Sequence, residues 1–140
     1  MYKYLSKIIV TLLTIISFNL LADPVVIVNK SASITAISVD ELANIYLKKA
    51  MSFPNGGDVN PLDMSGNEQL KNKFYTDILK LDTSYVSDYW TEMLFSGELL
   101  PLDEIDNAEA IINKVLSDKS YIGYIDSSKV DDRVVVITIQ

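Results

Sequence analysis

Val59–Tyr75 reads VNPLDMSGNEQLKNKFY, an extended run that breaks at a small polar turn and restarts as an amphipathic helix. Pro61 cannot donate to a ladder, so Val59–Met64 is expected at a sheet edge or near a strand end. After the turn, Leu70, Phe74 and Ile78 recur at four-residue spacing, the buried stripe of a helix. Ser65 followed three residues later by Glu68 is a capping-box pattern. The same turn has a second reading. The first N–H groups of a helix have no intrahelical acceptor, and the dipole there favours anions. Gly66 would let a ligand approach the backbone, and Ser65 and Asn67 add short polar donors. Asp63, just ahead, has the wrong sign for an anion site. The direction of its carboxylate therefore matters.

The chain has 140 residues and neither cysteine nor histidine. Residues 1–22 read as a secretory signal peptide: Lys3 and Lys7, an apolar run from Ile8 to Leu21, and Ala22 ahead of Asp23-Pro24. The run is short, and broken by Thr11, Thr14, Ser17 and Asn19, which argues against a membrane span. Residues 23–140 are then one domain, expected to be periplasmic, soluble and free of lipid, with no stable membrane insertion after cleavage. Lys3 and Lys7 are two of the 12 basic residues, leaving 10 against 19 acidic ones, a net charge of −9. A chain this acidic, with Arg133 its single arginine, is a poor partner for nucleic acid or anionic membrane.

Along the domain, PVVIVN (Pro24–Asn29) reads as a buried strand, and KSASITAI (Lys30–Ile37) as a polar loop. Ser38 and Glu41 form a capping box, with Ile37 and Leu42 as the staple, for a helix burying Leu42, Ile45 and Tyr46. MSFPNGGDV (Met51–Val59) is a turn or hairpin tip. Thr83 is expected to cap a helix turning Val86, Trp90, Met93 and Leu94 inward, with Gly97 as its stop. Asn107 caps a further helix facing Ile111, Ile112 and Val115 inward. YIGYI (Tyr121–Ile125) and RVVVITI (Arg133–Ile139) are the last strands. Strands at both ends and helices between them predict an α/β domain.

Catalysis finds little support. The commonest general base and the strongest nucleophile are missing. Asp103, Glu104, Asp106, Asp131 and Asp132 fall in turns and caps, where acidic residues are ordinary. DEIDNAE (Asp103–Glu109) lacks the ligand spacing of a calcium loop. Tyr85, Tyr89 and Trp90 share one side of a helix, and the simplest reading is an aromatic face turned to the core. No cofactor or metal is expected.

The ordered set VVIVN (Val25–Asn29), VDELANIY (Val39–Tyr46), Lys48-Lys49, VNPL (Val59–Leu62), SGNEQLKNKF (Ser65–Phe74), DYW (Asp88–Trp90) and IGYI (Ile122–Ile125) resembles the phosphate-binding, PstS-like group of periplasmic substrate-binding proteins. The resemblance implies an α/β fold like one half of a type II periplasmic-binding-protein fold. It also implies a non-catalytic protein holding phosphate or a related oxyanion at Ser65, Gly66 and Asn67, and an ABC permease as partner. Whole receptors of that family have two lobes and are roughly twice this length. Their arginine ahead of the turn is replaced here by Asp63, and their hydroxyl residue by Asn67. One lobe cannot close on a ligand alone, so a homodimer is one expected form. The alternative is an envelope protein-interaction module with no small-molecule ligand.

Overall fold

The computed structural model describes residues 23–140; the expected signal peptide lies outside them. A mixed five-stranded sheet forms the centre. In chain order its strands are β1 (Pro24–Val28), β3 (Asn60–Met64), β4 (Asp103–Ile105), β5 (Tyr121–Asp126) and β6 (Val135–Val136). Their order across the sheet is β4-β3-β5-β1-β6. β3 runs parallel to β4 and β5, whereas β1 is antiparallel to β5 and β6. A small second sheet pairs β2 (Ala36–Ile37) with β7 (Thr138–Ile139). The helices are α1 (Val39–Tyr46), α2 (Glu68–Lys73), α3 (Thr83–Ser96) and α4 (Ala108–Ser117).

Helices cover both sheet faces, as the α/β reading requires. Gly123 of β5 faces α4, and a Cβ there would sit 2.7 Å from Ile111 Cγ2. That glycine lets α4 seat Ile111, Ile112 and Val115 close against the sheet. Its neighbour Tyr124 points to the opposite face, because side chains alternate along a strand. There it stacks on Phe74, with ring centroids 3.8 Å apart. Tyr46 of α1 meets the same Phe74 ring edge-on at 4.7 Å. Tyr46, Phe74 and Tyr124 are fully buried and form the aromatic centre of this layer.

α1 forms as its sequence predicts. The Ser38 side chain accepts from Glu41 N–H at 3.2 Å, and Glu41 accepts from Ser38 N–H at 2.9 Å. Ser38→Ala is expected to lower stability by about 1 kcal/mol, read as a shift in the chemical-denaturation midpoint at unchanged slope. Asn107 caps α4 as expected, accepting from Ala110 N–H at 2.9 Å.

Other expectations are corrected. Asn67, not Ser65, caps α2, its side chain accepting from Leu70 N–H at 3.0 Å. Asp82, not Thr83, caps α3 through Ser84 N–H at 2.8 Å. β3 is an interior strand, not an edge, and Pro61 stands second in it, near the strand end as the alternative reading had it. β4 pairs only from Leu62 onward, so Pro61 meets no neighbour on that side. α2 passes into a π-helical turn at Phe74–Ile78, which buries Phe74 and Tyr75 together and leaves Ile78 half-buried. The last strand divides at Ile137, because β6 pairs with β1 and β7 with β2. α3 buries no residue fully: Val86, Trp90 and Met93 are half-buried and Leu94 is exposed.

Candidate functional site

Asp63 lies on the same sheet face as Tyr124, one residue before the end of β3, and is 6% exposed. Its carboxylate points inward. Oδ1 accepts a short hydrogen bond from the Tyr124 hydroxyl and a second from Met64 N–H at 3.0 Å. Oδ2 accepts from the Tyr75 hydroxyl at 3.0 Å and pairs with Lys71 Nζ at 3.3 Å. Met64 N–H also donates to the Tyr124 hydroxyl, at 3.1 Å. A buried carboxylate is tolerable only with its lone pairs engaged, and here two phenols, an amide and an ammonium engage them.

The cluster reshapes its neighbours' titration. Burial raises Tyr46, Tyr75 and Tyr124 above the ordinary tyrosine value of 10.0, and the facing Asp63 raises them further. Burial pulls the Lys71 ammonium down, but Asp63 and Glu104 more than offset this and leave it raised. A group whose pKa is higher folded than unfolded stabilises the protein below its unfolded pKa. That contribution is lost as pH rises through the folded value. Melting temperature is therefore expected to fall from about pH 10 upward, with the buried phenols of Tyr46, Tyr75 and Tyr124 ionising only as the protein unfolds. A buried tyrosine ionising while the fold stays intact would contradict this.

Asp63, Lys71 and Tyr75 border a cleft of about 540 Å³, closed on its far side by Val86 and Trp90 of α3 and by Leu102. Glu104 of β4 reaches the same space and holds Lys71 at 3.4 Å. Among the described residues no group of three or more acidic, histidine or cysteine side chains is placed to hold a metal ion.

Ser65, Gly66 and Asn67 follow β3 and are all exposed. Ser65 N–H donates to Ile105 O at 3.0 Å, which ties the turn to β4. Gly66 packs against Asp106: a Cβ would lie 1.8 Å from its carbonyl oxygen and 3.0 Å from its Oδ1. Gly66 is thus required by a close backbone approach, whereas the sequence suggested access for a ligand. The Asn67 side chain is committed to capping α2. The sequence reading missed Lys71, Tyr75 and Tyr124 as partners of Asp63. Lys71 and Tyr75 stand four residues apart on consecutive turns, a usable signal for a shared face. Tyr124 comes from a strand 61 residues away and gives no local signal.

The fold is that of a single lobe of the periplasmic-binding-protein type. Among solved structures, a protein described as a phosphate ABC transporter substrate-binding protein with bound phosphate, from Clostridium perfringens, is similar, at TM-score 0.65 and 17% identity. It is matched over 84% of this chain and 45% of its own. An ABC-type phosphate transport receptor from Vibrio cholerae is similar at TM-score 0.64 and 13% identity, over 84% and 46% of the two chains. PstS from Borrelia burgdorferi is similar at 0.53 and 13%, over 85% and 47%. The chain therefore spans slightly less than half the length of these relatives. No protein-family model and no curated protein matches it. The first of these neighbours is described as a substrate-binding protein and the second as a transport receptor. No helix of the described residues is long and apolar enough to cross a membrane.

Proposed function

We propose that the chain is an exported, non-catalytic binding lobe that takes phosphate or a related oxyanion at the turn Ser65, Gly66 and Asn67. The observation that carries this reading is the direction of Asp63. Its charge is turned inward and met by Lys71, Tyr75, Tyr124 and Met64 N–H, so the acidic residue just ahead of the turn does not face the ligand. The turn itself stands exposed at the positive end of α2, with the Ser65 hydroxyl beside it. In this reading residues 1–22 direct export to the periplasm and are removed. An ABC permease or another envelope protein is the partner. A second copy of the chain, as a homodimer, or another protein supplies the opposing wall, since affinity for a small ligand rests on enclosure.

One observation favours a docking lobe with no small ligand: the Asp106 carboxylate stands beside Gly66. Calorimetric titration with phosphate and with sulfate separates the two. Oxyanion binding predicts saturable heat, weakened by Ser65→Ala and strengthened by Asp106→Asn, which removes the repelling charge. No heat at millimolar anion from either wild type or Asp106→Asn would overturn it.

A further inference from the structure

We propose that the cleft between α2, α3 and β4 binds a small organic amine, its ammonium on Glu68 and Glu104 and its hydrocarbon frame against Trp90. The cleft holds about 540 Å³, within the roughly 300–1,000 Å³ of small-molecule sites. Like them it joins an apolar wall, here Val86, Trp90 and Leu102, to a few polar groups. The π-helical turn that carries Tyr75 into its lining is a rare helix form, frequent at functional sites.

The charges placed at the cleft choose the ligand. Three carboxylates line it, Asp63, Glu68 and Glu104, against one ammonium, Lys71. Lys71 lies 3.3 Å from Asp63 and 3.4 Å from Glu104, so one cation is divided between two anions. Asp63 is closed off, its oxygens taken by Lys71, two phenols and Met64 N–H. Glu104 is not: Oε1 alone meets Lys71, and Oε2 has no partner among the described residues. Glu68 makes neither hydrogen bond nor ion pair among those residues. Lys48 and Lys49 lie outside the lining, Lys48 on the Leu100 and Pro101 carbonyls and Lys49 over the Tyr89 ring. With Lys71 counted, the lining keeps two uncompensated negative charges.

Such a lining repels an oxyanion. A metal ion needs carboxylates converging on one point, and among the described residues no three do so. A neutral sugar would use the indole but leave the charge unmet. An ammonium meets both, because carboxylate oxygens accept its protons and the indole face attracts cations. None of Ser65, Gly66 and Asn67 lines the cleft, so this site and the oxyanion turn stand or fall separately.

The test is titration with cadaverine, pentanediol and glutarate, which share one carbon chain and differ in the charge of its ends. Calorimetry and the fluorescence of Trp90, the single tryptophan, report binding. Cadaverine should bind saturably, more weakly at high salt, and the diol and dicarboxylate should not. Glu68→Gln and Glu104→Gln should each weaken it about tenfold with unchanged melting temperature, because both side chains are exposed. Trp90→Leu should weaken it about threefold by calorimetry. Cadaverine heat that survives Glu68→Gln and Glu104→Gln together overturns the proposal. So does equal binding of the diol or the dicarboxylate, or no cadaverine heat at millimolar concentration.

Discussion

Asp63→Ala is expected to cost about 3 kcal/mol, since orphaning a buried donor costs roughly 1–3 kcal/mol and the hydroxyls of Tyr75 and Tyr124 would both lose their acceptor. Lys71 adds less to this figure, being partly exposed and able to keep Glu104. Asp63→Asn should fall between wild type and Asp63→Ala, because one amide oxygen can still accept a phenol but the amide nitrogen cannot. Denaturant melts of the three proteins test this ordering. Adding Tyr75→Phe to Asp63→Ala should recover part of the loss, because a donor that is absent cannot be left unpaired. If Asp63→Ala melted with wild type, the inward cluster would contribute nothing to stability.

Gly66→Ala is the second severe change. The added methyl would enter the space of the Asp106 carbonyl, 1.8 Å from its oxygen, and main chain cannot rotate aside as a flexible side chain can. Overpacking of this kind costs about 1–3 kcal/mol, here by forcing the turn away from β4 and straining the Ser65 N–H bond to Ile105. Faster amide exchange at Ser65, with α1 exchanging as in wild type, would identify local separation as the cause. A thermally unaffected Gly66→Ala protein would contradict the close approach. Gly66→Ala is for the same reason a poor probe of ligand binding, whereas Ser65→Ala is a clean one.

What the sequence disclosed and what it hid divide by distance along the chain. The Ser38–Glu41 box, the Asn107 cap and the Asn55-Gly56-Gly57 turn are local devices and formed as read; Gly56 and Gly57 both adopt positive φ. The start of α2 was ambiguous locally, because Ser65 and Asn67 are both good caps. A distant strand resolved it: Ile105 claims the Ser65 amide, and the helix begins two residues later. β4 was illegible because three residues, two of them acidic, make a strand only beside β3. Asp63 read as an obstacle to a ligand because its partners lie 8, 12 and 61 residues away in sequence. The resemblance to phosphate receptors found the lobe; it did not find the carboxylate cluster inside it.

The two borders of the central sheet differ from its middle in one practical respect. β4 is three residues long and begins Asp103-Glu104, and β6 is two residues long before the chain leaves for the second sheet. Neither offers another strand the length of free ladder, or the neutral surface, that runaway stacking needs. At the high concentrations of a crowded compartment the protein should resist fibril growth by strand addition at either border of this sheet.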